Sequence, residues 1–430
     1  MEDQKKTTQN FLEPNEVFSY DGAISRQVNW TNSIKKWMLE TPSFFPYFRS
    51  WYYGKDVAKL VTGYELQHVS GLVSNDPAIL QKVISTVRQT KPTYDPIAMI
   101  DPQSEALYHN TAEHDRKAAY NNEGINRDIM VMLSNRSKSE GGFSIKKAKY
   151  NDILRLLYDP DKCAGWLDGQ IMKQVSGGAK IGVPMLPFIV DEESKRRWKA
   201  AYEALERFYI NMEAIHGTNG IPVALHVAVG RGIFKEANEQ LAVDLLEDIE
   251  ELKPKAITVK VAYGAMLDDT KTPEQTQNTR NFLEGIGRFA KAANIPTHLF
   301  CENNSGVMSL SLGMNTYSQP IDHKVIRTDF APESPLTLEE RYGKIYDYKQ
   351  KNFVSHKSWL TQSEQIGSAP CSLKCCAKTS HSILKGMSLH DFYHYAGTHL
   401  IVTRDQEIGE YVQALRKKAI KEHLTTKYRW

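Results

Sequence analysis

Three cysteines, Cys371, Cys375 and Cys376, crowd into six positions, and His381, His390, His394 and His399 follow them. Thiolates and imidazoles are the donors that suit a tetrahedral zinc ion, and a closed structural site needs four of them. The spacing is compatible with a metal or with free thiols; two separated CxxC pairs would be a stronger signal. Carboxylates beside glycines form the second set of candidates. Ser139-Glu140-Gly141-Gly142-Phe143 places a carboxylate next to paired glycines, which either let the backbone approach a planar ligand or simply make a tight turn. Asp191 closes an apolar stretch and precedes a helical pattern. There it serves as an N-cap or as an acceptor for two N–H groups on a purine edge. Gly230-Arg231-Gly232 follows another apolar run, as an anion nest presenting Arg231 to a phosphate or as a plain loop. His226 and His298 fall inside apolar runs, where a satisfied core histidine is the expected reading.

The elements that position these residues are legible from Asp128 onward. Ile129–Leu133, Ile181–Val190, Val223–Val229, Ala256–Ala262 and Thr297–Cys301 read as short buried strands. Between the later ones, apolar residues at helical spacing predict helices over Glu192–Ile215, Asn238–Leu252, Thr272–Ala293 and Ser305–Leu312. Pro273 suits the first turn of its helix. The earlier half carries less pattern: 1–30 is polar, 37–53 is dense in aromatics with Pro42 and Pro46 opposing one continuous helix, and 95–125 reads as irregular. Strands alternating with amphipathic helices predict a parallel sheet covered by helices. Without a dinucleotide-type glycine fingerprint, a TIM-type (β/α)8 barrel is favoured over a doubly wound sheet. Chemistry is then expected on the loops at the C-terminal strand ends: the Gly141 loop, Asp191, Gly230–Gly232, Gly264 and the segment near Tyr317.

At 430 residues, with 41% hydrophobic and 24% charged residues, the chain is long enough for such a barrel plus additions and has an ordinary globular composition. A net charge of +3 does not by itself mark a nucleic-acid binder. The basic run 415–421 is either a solvated helix face or a phosphate contact. The polar N-terminus lacks the apolar region of a signal peptide, and no apolar run is long enough to span a bilayer. Five cysteines, three of them crowded at 371–376, suggest a metal in a reducing compartment more than a secreted disulfide framework, so a cytoplasmic location is expected.

Several segments, in order, resemble the tRNA-guanine transglycosylase family, including its DNA-guanine transglycosylase relatives. Glu40-Thr41-Pro42-Ser43-Phe44-Phe45-Pro46 resembles its early "TP-hydrophobic-P" strand, and Ser139-Glu140-Gly141-Gly142-Phe143-Ser144 its "DSGGFQ" loop. Val190-Asp191-Glu192 resembles its "DE" after a strand, Val229-Gly230-Arg231-Gly232 its "VQGG", and Gly264 falls at a later base-binding loop. Leu312–Tyr317 resembles the approach to the family's nucleophile, and Gly343–Tyr346, Cys371–Cys376, His399 and 407–420 resemble its hairpin, zinc module and closing helix.

The resemblance implies a chain divided into an arm (1–35), a (β/α)-barrel (36–335) and a zinc-bearing subdomain (336–430). It implies exchange of guanine for a 7-deazaguanine base in tRNA or DNA, on an extruded nucleotide and through a covalent glycosyl-enzyme intermediate. The acidic positions depart from the pattern. Ser139 stands where the loop aspartate belongs, which leaves Glu140 as the nearest acid/base. Ser318 stands at the nucleophile, which leaves Asp322 as the nearest carboxylate. Asp191, Gly141, Gly142, Phe143, Gly230, Arg231, Gly232, Gly264 and Ser318 are expected to bind the base or nucleotide. Cys371, Cys375, Cys376 and His399 are expected to hold zinc, with His394 or His390 as the fallback fourth ligand and Leu373 at the family's middle cysteine. A homodimer, or a heterodimer with a homologue, is implied by analogy. A catalytically degenerate barrel that binds nucleic acid or serves as a partner subunit is the alternative.

Overall fold

The computed structural model describes residues 38, 42–109, 148–216, 222–262, 273–300, 306–321 and 344–416. Strands β1 (Ser43–Phe48), β2 (Gly71–Ser74) and β3 (Ile97–Ile100) alternate with helices α1 (Trp51–Gly63), α2 (Pro77–Thr90) and α3 (Ser104–His109). Helices α4 (Tyr150–Leu157), α5 (Cys163–Ser176) and α6 (Glu192–His216) precede β4 (Leu225–Gly230). Then follow α7 (Glu239–Leu252), β5 (Ile257–Ala262), α8 (Pro273–Ala292), β6 (Thr297–Phe300), α9 (Gly306–Ser311) and β7 (Thr316–Pro320). These seven strands form one sheet in the order β3-β2-β1-β7-β6-β5-β4, and every pairing is parallel. A hairpin, β8 (Lys344–Asp347) and β9 (Asn352–Ser355), leads to α10 (His356–Ile366), α11 (His381–Gly386) and the long α12 (Leu389–Arg416).

Both faces of the sheet are covered, so its strands are buried throughout. Alternate side chains go to different cores. Phe44 and Phe48 on β1 pack outward with Leu72, Ala98, Val227, Val259 and the helices. Phe45 and Tyr47 face the other way, with Val73, Met99, Ala224, Ala256 and Phe300. That second cluster joins Ile97 and Met99 of β3 to Ala224, the residue before β4, at the two edges of the sheet, so the sheet curls upon itself.

The segment 179–190 bridges those edges. Lys180 N–H donates to Ala98 O of β3 (2.9 Å), Ala224 N–H to Gly182 O (2.9 Å) and Gly230 N–H to Ile189 O (2.8 Å). The sequence predicts a regular strand here, and the structure shows isolated bridges instead. The physical reason is Pro184 and Pro187, which have no N–H to give a ladder. Side chains replace the missing partners. Gln174 brackets Val183, accepting its N–H (2.9 Å) and donating to its carbonyl (2.7 Å). Tyr150 does the same for Phe188, at 2.8 and 2.9 Å, and the Tyr158 hydroxyl donates to Met185 O (2.7 Å).

The region 95–125, expected to be irregular, contains the buried strand β3. Only four residues long, it is too short for periodicity to reveal. The predicted strand Ile129–Leu133 lies outside the described residues. The later helices and strands fall within a few residues of their predicted bounds. Among the described residues no helix is long and apolar enough to cross a membrane.

Helix α8 packs on the turn before β7 with no space between backbones. A Cβ at Gly287 would lie 2.0 Å from Leu312 O, and Gly313 opposite it has φ +95°, a conformation open to glycine. Gly287→Ala should therefore destabilise the chain by ~3 kcal/mol, read as a lower midpoint in chemical denaturation, whereas Gly165→Ala, with open space around it, should not.

Candidate functional site

The inner face of the curled sheet is apolar at one level and polar at the next. Asp101 follows β3 directly, Glu105 is the second residue of α3, and Lys260 projects from β5. The Lys260 ammonium donates to Asp101 Oδ2 at 2.8 Å and to Glu105 Oε1 at 2.6 Å, with all three side chains buried. Gln103, at φ +52°, turns its N–H back to Asp101 Oδ1 (3.0 Å) and its amide to the Tyr47 hydroxyl (3.1 Å). Asp101 and β5 belong to opposite flanks of the sheet, so this ion cluster also ties the flanks together.

Burial alone would raise the Asp101 carboxyl, but the Lys260 ammonium and the N–H of Gln103 overrule it and hold Asp101 below the usual carboxylate range. Glu105 moves the other way: burial and then the charge of Asp101 outweigh its share of Lys260 and push it up. Two carboxyl groups with opposed shifts at one strand end are the arrangement expected of a base or nucleophile paired with an acid. Among the described residues several buried polar atoms here lack a partner, including Glu105 Oε2, His226 Nε2, Asn75 Oδ1 and Ser104 Oγ. Such atoms are rare in a finished core and point to a ligand or water.

Ser318, the resemblance's nucleophile position, is buried on β7 with its Oγ 3.1 Å from His298 Nε2. Thr316 Oγ1 donates to Thr297 O (3.2 Å) and so accepts from His298 Nδ1–H (2.9 Å), which leaves Nε2 to accept from Ser318. That is a serine–histidine pair in form. Burial, however, pushes His298 down to about 3, and so weak a base cannot draw the serine proton at neutral pH. Its hydrogen bonds describe the satisfied core histidine expected from the sequence. His226 is likewise pushed down to about 3 by burial, with Nδ1 3.0 Å from Thr258 Oγ1, yet its Nε2 is unsatisfied.

The other predicted residues are dispersed. Asp191 accepts from Ser194 N–H (2.8 Å) and Ser194 Oγ (2.7 Å) as the cap of α6, and Asn151 Nδ2 lies 3.5 Å from its second oxygen. Gly230 ends β4 pressed against Phe188 and Val190, where a Cβ would meet atoms at 3.2–3.3 Å. Arg231 and Gly232 continue into a short 3-10 turn over Arg231–Phe234. Glu140, Gly141, Gly142, Phe143, Gly264 and Asp322 lie outside the described residues. Sequence reasoning missed Asp101, Glu105 and Lys260. A carboxylate directly after the apolar run Ile97–Ile100 was the available signal; Lys260, a lone cation inside a buried strand, was the other.

The second cluster lies beside the hairpin. Cys371 Sγ, Cys376 Sγ and a His399 ring nitrogen all lie within 4.8 Å of one another and are buried. Cys375 Sγ is 3.4 Å from His399 Nδ1 and 3.6 Å from Cys376 Sγ. His399 Nε2–H donates to Tyr346 O (2.8 Å), which leaves Nδ1 as the lone pair aimed at the sulfurs, 3.2 Å from Cys376. A ligand histidine oriented by a backbone carbonyl is the usual outer-shell arrangement of a metal site, so the donors fit a metal ion. Leu373, at the family's middle cysteine, instead donates its backbone N–H to Cys371 Sγ (3.3 Å).

No protein-family model and no curated protein matches the chain. Among solved structures, the carboxyl transferase domain from Rhizobium etli pyruvate carboxylase with 3-hydroxypyruvate aligns over 91% of this chain and 56% of that one. The identity is 10% and the TM-score 0.34. This chain thus spans little more than half the length of that domain, and a likeness at this level carries no functional argument.

Neutral burial of His226 and His298 fixes a pH dependence. Both folded-state values lie at about 3, below the unfolded value of about 6.5, so their contribution is complete above pH ~6.5. It is lost as pH falls toward 3, at up to ~1.4 kcal/mol per unit for each ring. Urea denaturation from pH 7 to 4 should show this slope, and His298→Asn should reduce it.

Proposed function

We propose that the chain is a glycosyl-transfer protein of transglycosylase type, exchanging guanine for a 7-deazaguanine base in tRNA or DNA. Its carboxylates are Asp101 and Glu105. The observation that carries this reading is the buried Asp101–Lys260–Glu105 cluster at the C-terminal ends of parallel strands, with opposed shifts on its two carboxyl groups. In the resemblance an aspartate opens the loop after a strand, and Asp101 after β3 fits that role better than Ser139 or Glu140. In the finer fold reading, 179–190 is the eighth stave of a closed (β/α)8 barrel, and the cluster sits at the catalytic end of its lumen.

The step divides between the two acids. Asp101, held ionised, attacks C1′ as the C1′–N9 bond breaks. The electron pair goes to N9 of guanine, which takes a proton from Glu105. The incoming base then loses its N9 proton to Glu105 and displaces Asp101 from C1′, so the glycosidic bond re-forms with net retention. Ser318 has no part in it, for want of a competent base. Asp191, spent partly on capping, keeps one oxygen for a base N–H, while Arg231 serves phosphate. Cys371, Cys375, Cys376 and His399 are the proposed zinc ligands; the ion would be structural, fixing the hairpin and α12.

A second reading has one specific support: a serine stands at the family's nucleophile position. The barrel would then bind nucleic acid, or join an active homologue as a partner, without turnover.

Incubation with labelled guanine or a 7-deazaguanine precursor, and with tRNA and duplex DNA side by side, separates the two. Exchange into one polymer is expected, with Asp101→Asn and Glu105→Gln each lowering it by ~10³-fold, against an unchanged Gly165→Ala control. Folded protein that binds either polymer with a steep salt dependence, but incorporates nothing, would select the second reading. Purified protein is expected to carry close to one zinc per chain. Chelation or Cys376→Ser should lower the melting temperature, and metal analysis without zinc would remove that assignment.

A further inference from the structure

Among the described residues the cluster holds two carboxyl groups and one ammonium, all inside the protein. With both acids ionised the group would carry an uncompensated negative charge away from water, which is costly at low dielectric. The hydrogen bonds are unequally shared. Asp101 accepts from Lys260 Nζ, from Gln103 N–H at 3.0 Å and from the Tyr47 hydroxyl. Glu105 gives Oε1 to Lys260 at 2.6 Å, and among the described residues its Oε2 has no partner. An ionised carboxylate needs donors on both oxygens, whereas a carboxylic acid can carry a hydrogen on the free one.

We propose that Lys260 is a positioning residue that binds Asp101 and Glu105 into a pair sharing one proton, carried by Glu105 on the oxygen the protein leaves unpaired. The ammonium stabilises the ionised Asp101 through a direct bond and fixes the geometry of Glu105 through its other oxygen. The Glu105 O–H then points to whatever occupies the interior, as a donor that requires no proton from solvent. Other titratable or charged groups nearby are Tyr47 on β1, with Arg49 just beyond it, and His226 on β4, with His298 on β6 farther along the face. Both histidines are neutral at pH 7 and the charge of Arg49 bears on Tyr47, so among the described residues Lys260 is the cation bonded to the two acids. The bearing of this pair on base exchange rests on the function proposed above; the shared proton does not.

Infrared spectroscopy of the purified full-length chain tests it without any substrate, because a protonated carboxyl has a carbonyl stretch distinct from a carboxylate. At pH 7 a protonated-carboxyl band is expected in the wild type, absent in Glu105→Gln and retained in Lys260→Arg. In the double variant Glu105→Gln/Lys260→Met the band should return, because Asp101 has lost its counter-charge and takes a proton. The double variant leaves no unpaired ammonium or surplus carboxylate, and so serves where Lys260→Met alone fails to fold. A wild-type spectrum without a band removable by Glu105→Gln overturns the proposal, as does a double variant in which no band reappears. In the exchange assay Lys260→Met should lose ~10²-fold in kcat/KM and shift its acidic limb upward, with Lys260→Arg recovering most of the loss. The expected bands without any exchange in the wild type would uphold the proton pair and count against the transglycosylase function.

Discussion

The ammonium of Lys260 has to be compensated where it is, and much of the architecture answers to that need. A charge sealed inside a sheet costs several kcal/mol unless paired and hydrogen-bonded, so Asp101 and Glu105 must come to it. They do so from β3 and α3, while Lys260 stands on β5. The pairing therefore spans the interval at which the ladder of seven strands is interrupted. Removing one partner would strand the others in the core, and removing the whole set would leave the flanks joined by apolar contacts and by the backbone bonds of 179–190. The same constraint that closes the sheet on itself also supplies two carboxyl groups with different proton affinities, so stability and candidate chemistry share one origin.

The C-terminal part is attached by similar means. Arg404 of α12 is fully buried, donating to Gln319 Oε1 on β7 (2.9 Å) and to Glu407 (2.5 Å), with its guanidinium over the Tyr346 ring (4.2 Å). Lys351, just before β9, donates to Glu407 at 3.1 Å. His399, on the same helix, faces the cysteines one turn earlier. Helix α12 is thus held at once by the sheet, the hairpin and the Cys/His cluster, and a metal there would set its rotation relative to β7.

Much of this was legible in the sequence, and the rest was hidden for identifiable reasons. The alternation of strand and helix from Glu192 to Leu312 is recovered to within a few residues, because long helices such as α6 and α8 repeat their apolar spacing many times. The converging thiols of Cys371 and Cys376 with His399 also follow from residue type and order. The four-residue strands β2 and β3 offer no period to count, and so the carboxylate that follows β3 went unread. Lys260 was invisible for another reason: a lysine within an apolar run is recognisable as functional only when its partners, more than 150 positions away, are seen beside it. Attention to the glycine-rich loop at 139–144 drew the acid/base assignment to residues outside the described structure.

The stretch 179–190 obtains its backbone partners from side chains, and this changes what its amides report. In an ordinary sheet an amide proton becomes exchangeable when neighbouring strands part. At Val183 and Phe188 the bonds run instead to Gln174 on α5 and Tyr150 on α4, so solvent gains access when either helix shifts or either side chain changes rotamer, with the seven-stranded ladder intact. Deuterium uptake at these two amides would therefore keep time with helix docking rather than with sheet opening. The interval between β3 and β4 becomes a local gauge of how firmly the outer layer is seated.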